Sequence, residues 1–222
     1  FILESASSAG KKESEGPIGH KFDGVGEDDK FGCDKWEDAE STLQKEALTM
    51  AMGKAGVKAK DVRYLYAGDL LGQSMATSFG LQPFEIPLFG LYGACSTAGE
   101  VLAIAAMTVA AGYADLVGAA NSSHFASAEK QFRFPLEYAN QRPLCTTWTV
   151  TGAGAFLLGR ESGKKQNYSY NRKRTDSGSP MIKRAEQKIA DDTEQTVCGV
   201  RITGITTGKI VDYGVRDSMN MG

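Results

Sequence analysis

The spacing of apolar residues changes several times along the chain and predicts alternating helices and strands. Apolar residues recur at intervals of three and four from Trp36 to Gly53, with charged residues between them, which predicts an amphipathic helix. Short apolar runs at 62–68, 86–89 and 114–120 predict buried strands. Small apolar residues from Cys95 to Ala111 predict a helix buried inside a layered protein. Strands and helices that alternate over short connections favour a parallel α/β sheet.

The two ends of the chain have a different pattern. Residues 1–35 are mostly polar and glycine-rich, which is typical of loops, apart from a short apolar run that predicts a strand at the very start. Residues 147–158 alternate and are rich in β-branched side chains, and residues 200–211 predict a final strand that pairs with them. Between these strands, residues 163–197 are charged and poor in apolar side chains. We therefore expect one domain over residues 1–222, with a polar insertion at 163–197.

The composition argues against several classes of protein. The chain has 222 residues and a formal net charge of −2, from 25 Lys and Arg against 27 Asp and Glu, which argues against nucleic-acid binding through a broad basic face. Its four cysteines include no CxxC pair, so a disulfide framework is not expected. With only two histidines, a metal site is not expected either. Cysteines that stay reduced favour a cytosol-type compartment. The longest apolar stretch, 86–120, is interrupted by proline, glycine and charged residues and does not predict a membrane span.

The residues with the clearest chemical potential lie where the buried helix begins, at 93–97 (Gly-Ala-Cys-Ser-Thr). The N-terminus of a helix offers unpaired backbone N–H groups and the positive end of the helix dipole, which favour a thiolate or a bound anion. The small residues beside Cys95 let a ligand approach the backbone. This pattern fits either a nucleophile for acyl transfer or a site for a carboxylate. A buried cysteine that only fills space is the structural alternative.

Two further polar side chains follow predicted strands. Asp69 comes directly after strand 62–68, before a helix predicted to begin at Leu70, and His124 follows strand 114–120. The carboxyl ends of parallel strands meet at one edge of a sheet, where ligands bind, so we expect Asp69, Cys95 and His124 to lie near one another. The alternatives are a helix N-cap for Asp69 and a loop histidine without a partner for His124.

Arg133 places a positive charge between two aromatic residues, Phe132 and Phe134. Its guanidinium is expected either to hold an anionic ligand through two hydrogen bonds or to lie over the neighbouring rings. The candidate ligand-binding residues are therefore Asp69, Cys95, His124 and Arg133.

Several motifs of the chain resemble known protein families. The cysteine motif at 93–97, the buried helix after it and the residues 122–124 (Ser-Ser-His) are similar to the thiolase and ketoacyl-synthase superfamily, in which the cysteine carries an acyl group. More specifically, the chain resembles the stage V sporulation protein AD family of spore-forming bacteria. That resemblance covers nearly the whole chain except 163–197 and rests on motifs at 15–19, 67–71, 89–97, 122–124, 128–135, 149–155 and 208–214.

The resemblance implies a thiolase-like α/β fold, with a mostly parallel mixed sheet and helices on both faces, of which this chain forms the first of two similar halves. It also implies that the chain binds dipicolinic acid, alone or with calcium, takes part in its uptake into the developing spore, and is not an enzyme. Asp69 and Cys95 match positions of the family's ligand pocket. His124 and Arg133 are added because of their place in the chain and their charge.

The resemblance carries further expectations about partners and location. Membrane proteins of the same sporulation operon are the implied partners, so we expect a cytoplasmic protein that is peripheral at the spore inner membrane. Phe89, Tyr92 and Phe132 are expected to form apolar walls around the ligand ring. Half of a two-half fold exposes an apolar face, so we expect a homodimer or a part of a longer chain. The alternative functions are an acyltransferase, with Cys95 as nucleophile and His124 as base, and a scaffold that organises membrane partners.

Overall fold

A mixed sheet organises the computed structural model, which describes residues 1–70, 72–127, 149–160 and 200–209. Within those ranges, six strands form the sheet: β1 (Ile2–Ala9), β2 (Gly24–Val25), β3 (Tyr64–Asp69), β4 (Leu88–Gly90), β5 (Leu116–Ser123) and β6 (Gly152–Gly159). The α-helices described there are α1 (Lys11–Ser14), α2 (Trp36–Ala55), α3 (Met75–Leu81) and α4 (Thr97–Ala110). The polar insertion predicted at 163–197 lies outside the described residues.

The strands follow the order β2-β1-β6-β5-β3-β4 across the sheet. β6 runs antiparallel to both of its neighbours, β1 and β5, whereas the other neighbouring pairs are parallel. Five of the six described strands therefore point the same way, which confirms the mostly parallel mixed sheet. The strand predicted at the start of the chain is also confirmed, as β1.

Consecutive strand residues point to opposite faces of the sheet, so both faces carry apolar side chains. One long helix covers each face. On one face α2 packs against β1, β5 and β6, and its Leu43 shares a core with Leu157 of β6. On the other face α4 packs against β3 and β5, and its Val101 shares a core with Leu158. Burial of each of these side chains contributes about 1.5–3 kcal/mol. The prediction of helices on both faces is confirmed.

The amphipathic helix predicted from Trp36 is confirmed as α2, which extends two residues beyond Gly53, to Ala55. It stops at Gly56, whose φ of 66° is the left-handed conformation that glycine adopts without steric cost. The N–H group of Gly56 donates to the carbonyl oxygen of Gly53, which satisfies one of the carbonyls at the helix end.

The helix predicted directly after Asp69 begins later than expected, at Met75. Gln73 and Ser74, just before it, have left-handed φ values of 49° and 68°. The carboxylate of Asp69 accepts a hydrogen bond from the N–H of Ser74 at 3.2 Å. An aspartate that binds backbone N–H groups in this way competes with the helical hydrogen bonds, and the helix is displaced along the chain.

The strand predicted at 200–211 is wrong over the part that the structure describes. Val200 forms one antiparallel bridge with Ile2, and residues 201–209 have no regular secondary structure. The expected pairing with 147–158 does not occur because both edges of β6 are already occupied, by β1 and by β5. The strand predicted at 147–158 is confirmed from Gly152 onward.

Candidate functional site

A cleft of about 260 Å³ opens where β3 and β5 end and α4 begins. The residues that line it are Leu70, Ala94, Cys95, Thr97, Ala98, Asn121, Ser122, Ser123, Thr149 and Val150. None of these side chains is acidic or basic, and the set combines hydroxyl and amide groups with aliphatic surface. The cleft is thus suited to a small ligand that has both polar groups and an apolar surface.

Cys95 lies in the short 3₁₀ turn Ala94–Ser96, directly before α4, and its side chain is exposed within the cleft lining. This position excludes the space-filling alternative. Two hydrogen bonds close the turn: the N–H of Ser96 donates to the carbonyl of Gly93, and the N–H of Gly93 donates to the hydroxyl of Thr97. Ala94 adopts a φ of 47°, which few non-glycine residues do, and this bend presents the thiol at the start of the helix.

A close approach of backbones fixes the cysteine turn against the sheet. A Cβ atom placed on Gly68 of β3 would lie 2.1 Å from the carbonyl oxygen of Leu91 and 2.7 Å from Cγ2 of Thr97. The N–H of Leu91 also donates to the carbonyl of Ala67 at 2.8 Å. Only a glycine at position 68 permits this contact between β3 and the segment that leads to Cys95.

Asp69 is fully buried and does not line the cleft. One carboxylate oxygen accepts from the N–H of Ser74, and the other accepts from the N–H and the hydroxyl of Thr77, at 3.1 and 2.9 Å. These contacts satisfy N–H groups at the start of α3, but the N-cap residue of that helix is Ser74, so Asp69 is not the N-cap that the alternative predicted. A Cβ on Gly72 would lie 2.8 Å from the Asp69 carboxylate, so the loop fits tightly around it. Asp69 adjoins two residues that line the cleft, its neighbour Leu70 and its partner across the sheet, Ser122.

His124 is also buried and does not line the cleft with Cys95. Its Nε2 donates to the backbone carbonyl of Asp29 at 2.7 Å, and its Nδ1 accepts from the N–H of Ala126 at 3.1 Å. The ring is therefore neutral and carries its proton on Nε2. Burial lowers the pKa of His124, and its edge contact with the Trp36 ring is part of that enclosure. Neither ring nitrogen is available to Cys95 in this arrangement.

Four candidates remain, two of them within the described residues. Arg133 and Phe132 lie outside the described residues, so both stay predictions. Phe89 and Tyr92 are about half exposed and do not line the cleft, and Phe89 instead stacks on Tyr66 with ring centroids 5.2 Å apart. Aliphatic side chains of the lining supply the apolar walls among the described residues.

Glu40 is a candidate that the sequence reasoning missed. This side chain of α2 is buried, with one carboxyl oxygen 3.0 Å from the hydroxyl of Ser122, which lines the cleft, and the other 2.6 Å from the hydroxyl of Ser127. Burial raises the pKa of Glu40, and the nearby charge of Asp69 adds to this increase, while the two serine hydroxyls oppose it. The sequence signal was slight: a glutamate one position after Ala39, on the edge of the apolar stripe.

No group of three or more His, Cys, Asp or Glu side chains in the described ranges is arranged to hold a metal ion. Across those same ranges, we find no helix with the length and apolar character that crossing a bilayer requires.

Known proteins resemble the chain in sequence and in fold. A family model described as Stage V sporulation protein AD (SpoVAD) matches residues 1–222. Stage V sporulation protein AD of Bacillus subtilis (strain 168) is 33% identical over 222 residues, which are 100% of this chain and 55% of that relative. The chain thus spans about half the length of the curated relative it matches.

Two solved structures are similar in fold. The priming β-ketosynthase from the R1128 polyketide biosynthetic pathway has a TM-score of 0.50 and 15% identity, over 73% of this chain and 50% of that one. The 3-oxoacyl-[acyl-carrier-protein] synthase III from Aquifex aeolicus VF5 has a TM-score of 0.49 and 16% identity, over 73% and 54%. The first likeness agrees with the sheet and helices described above and confirms the thiolase-like α/β fold. Because the family model matches the chain from its first residue to its last, the chain belongs to the stage V sporulation protein AD family.

Proposed function

We propose that this chain binds dipicolinic acid, alone or with calcium, in the cleft beside Cys95, and takes part in the uptake of that ligand into the developing spore. The proposal joins the family membership with one observation, the exposed Cys95 thiol in a neutral cleft at the start of α4. It assigns a binding role and no catalysis, with membrane proteins of the same operon as partners at the spore inner membrane.

The size and lining of the cleft support a flat aromatic ligand. Its volume of about 260 Å³ lies just below the range of about 300–1,000 Å³ that is typical of drug-sized ligands, and dipicolinate is smaller than those. The side chains of Leu70, Ala98 and Val150 offer aliphatic contact to a pyridine ring. The amide of Asn121 and the hydroxyl of Thr149 offer hydrogen bonds to its polar edge.

The charge of the ligand is the main difficulty for this cleft, because dipicolinate has two carboxylates and the described lining residues carry no charge. The N-terminus of α4 stabilises one negative charge through its dipole and backbone N–H groups. Two sources can balance the rest: a calcium ion that enters with the ligand, or Arg133. We therefore expect calcium dipicolinate to bind more tightly than the free dianion.

Isothermal titration calorimetry of dipicolinate, with and without calcium, tests the proposal. We expect saturable binding that Cys95→Ala weakens about tenfold, which corresponds to about 1.4 kcal/mol. Cys33→Ala is the matched control, because Cys33 does not line the cleft. Isophthalate, which keeps the carboxylate spacing but lacks the ring nitrogen, is the ligand control. An absence of saturable heat at millimolar dipicolinate, with and without calcium, would refute the proposed function.

Asp69→Ala is also expected to weaken binding, by a different route. Asp69 holds the loop after β3 through Ser74 and Thr77, and Leu70 of that loop lines the cleft. Loss of the carboxylate therefore displaces a wall of the site. The effect should appear together with a loss of stability, whereas Cys95→Ala should change affinity alone.

The exposed thiol of Cys95 also favours a second candidate function, acyl transfer. That chemistry needs a general base close to the thiol, and both nitrogens of His124 are already hydrogen bonded elsewhere. Incubation with acyl-coenzyme A, followed by mass spectrometry of the peptide that contains Cys95, decides between the two. An acyl adduct on Cys95 and none on Cys33 would establish acyl transfer. No adduct would remove it.

The expectation that an apolar face is covered, by a second copy or by the rest of a longer chain, stays a prediction. Ile104 and Met107 of α4 and Phe89 of β4 are partly exposed and are the kind of side chain that such a contact would bury. Analytical ultracentrifugation measures the oligomeric state and a denaturation curve measures the cooperativity of unfolding: a monodisperse monomer that unfolds cooperatively would contradict the prediction.

A further inference from the structure

We propose that Glu40 holds a proton beneath the cleft, and that a dicarboxylate binds above it only while this proton is in place. The inference rests on the proposed function, since it concerns the same cleft, and adds a proton to the binding reaction. Glu40 does not touch the ligand and acts on it through its charge, across Ser122.

Ser122 connects Glu40 to the cleft. Its hydroxyl lies 3.0 Å from Oε1 of Glu40, and Ser122 itself belongs to the cleft lining. The hydrogen of that hydroxyl is directed to Glu40, so Ser122 presents only lone pairs to a ligand. A ligand carboxylate in contact with Ser122 would lie within about 6 Å of the Glu40 carboxyl group, since the hydrogen bond from Ser122 to Glu40 spans 3.0 Å and a contact between polar atoms adds about 3 Å.

The hydrogen bonds around Ser127 have a place for a proton on Glu40, because the Ser127 hydroxyl faces two acceptors. The hydroxyl oxygen of Ser127 lies 2.6 Å from Oε2 of Glu40 and 2.9 Å from the carbonyl oxygen of His124. A hydroxyl has one hydrogen and cannot donate to both acceptors, although the carbonyl of His124 also accepts from the N–H of Ser127 at 3.1 Å. With a proton on Oε2, Glu40 donates to Ser127 and Ser127 donates to the carbonyl of His124. Ser122 still donates to Oε1, and every polar atom of the cluster is then satisfied.

The charges around Glu40 favour the same state. Asp69 of β3 is the charged group that acts on Glu40, and its effect is repulsive. Toward β5 and the segment after it, Glu40 meets the hydroxyls of Ser122 and Ser127, and the nearby His124 ring is neutral. None of the ion pairs formed within the described ranges includes Glu40. Burial also raises the free energy of the ionised carboxylate, which agrees with the raised pKa of Glu40.

A dianion in the cleft brings negative charge close to the carboxyl group of Glu40. Two unit charges about 6 Å apart near a protein surface repel by an amount that corresponds to about a hundredfold in affinity. Binding of the calcium-free dianion should therefore keep or draw a proton onto Glu40. The affinity should fall as the pH rises through the pKa of Glu40 in the free protein, and proton uptake should appear over the same range.

Calorimetry of calcium-free dipicolinate in two buffers of different ionisation enthalpy, repeated over a series of pH values, tests this linkage. For the wild type we expect a buffer-dependent heat and an affinity that falls tenfold or more as the pH rises through the pKa of Glu40. Glu40→Gln keeps the shape and the hydrogen bonds of the acid form, so its affinity should be independent of pH and of buffer. Glu27→Gln, which removes an exposed carboxyl outside the cluster, should behave as the wild type.

Each result has a distinct meaning. Wild-type binding with no proton uptake and the same pH profile as Glu40→Gln would overturn the proposal. If neither protein binds, the proposed function fails and the linkage fails with it. Infrared spectroscopy then separately decides where the proton lies: a carbonyl band of a protonated carboxylic acid that persists above pH 4.5 and is absent from Glu40→Gln supports a proton on Glu40. Absence of that band in the wild type contradicts it. The buffer dependence of wild-type heats needs no variant, so the test survives a Glu40→Gln protein that does not fold.

Discussion

Thr77 donates two hydrogen bonds to the same carboxylate oxygen of Asp69, one from its backbone N–H at 3.1 Å and one from its hydroxyl at 2.9 Å. Both residues are fully buried. The pair joins the end of β3 to the first turn of α3, so the carboxylate supports the loop that contributes Leu70 to the cleft. A residue selected as a candidate for ligand binding instead caps, in the described structure, N–H groups of a helix beside the site from outside the N-cap position.

Asp69→Ala should lower the free energy of unfolding by about 2–4 kcal/mol. Loss of a helix cap costs about 0.5–2 kcal/mol, and a buried hydroxyl left without its acceptor costs about 1–3 kcal/mol. Urea denaturation followed by circular dichroism measures the change. Thr77→Val is the control, because it removes only the hydroxyl bond and should cost about 1 kcal/mol. An Asp69→Ala protein within about 0.5 kcal/mol of the wild type would show that the cap contributes nothing.

Two glycine substitutions of opposite expected sign test the packing that supports Cys95. Gly68→Ala places a methyl group 2.1 Å from the carbonyl oxygen of Leu91, which must move, and overpacking of this kind costs about 1–3 kcal/mol. Gly99→Ala meets nothing within 4 Å inside α4 and should stabilise the protein by about 0.5–1 kcal/mol. Thermal unfolding of the two variants gives both signs. A Gly68→Ala protein as stable as Gly99→Ala would contradict the close approach of β3 and Leu91.

Elements with a strong local period could be predicted from the sequence. The apolar spacing after Trp36 identified α2, and the continuous apolar runs identified β3 and β5, because a helix or a buried strand leaves its period in adjacent residues. The pairing of β6 could not be predicted in the same way. β1 lies more than a hundred residues away in sequence. The run after Val200 has the composition of a strand, but both sides of its expected partner β6 are occupied.

The site was predicted only in part for a related reason. Cys95 is exposed in a cleft at the start of a helix because small residues and backbone geometry, which are local properties, place it there. The directions of Asp69 and His124 depend on partners from other segments, Thr77 for one and Asp29 for the other, and no local pattern signals these. Glu40 was missed because a glutamate within a helix is ordinarily exposed.

The two described cysteines should differ in their rates of alkylation. The side chain of Cys95 is exposed, whereas Cys33 is half-buried with its sulfur 3.2 Å from the hydroxyl of Thr42. Reactivity depends on access as well as on thiolate content, so we expect iodoacetamide to label Cys95 about tenfold faster than Cys33. Peptide mapping by mass spectrometry resolves the two sites. Dipicolinate should slow labelling of Cys95 alone, and equal rates at both cysteines would contradict the exposed position of Cys95.

The stability of the protein should decrease as the pH falls below about 6.5, and His124 should be one cause. Burial lowers the pKa of His124 in the folded protein from 6.5, the value expected in the unfolded chain. Between the two pKa values the unfolded state binds more protons, so the contribution of His124 is complete above pH 6.5 and is lost as the pH falls toward the folded-state pKa. Protonation on Nδ1 would also break the hydrogen bond from Ala126.

His124→Gln separates this effect from other titrating groups. An amide can still donate to the carbonyl of Asp29 but has no charge to gain at low pH. We expect the variant to be less stable than the wild type at pH 8, and the difference to shrink as the pH is lowered from 6.5. The contribution of Glu40 to stability changes with pH in the opposite direction. Because the pKa of Glu40 is raised in the folded protein, its contribution is complete below pH 4.5 and is lost as the pH rises. Both proteins contain Glu40, so this contribution cancels in the comparison. Denaturation curves at matched pH values measure the difference, and a gap between the two proteins that stays constant down to pH 5 would show that His124 does not titrate as its buried position requires.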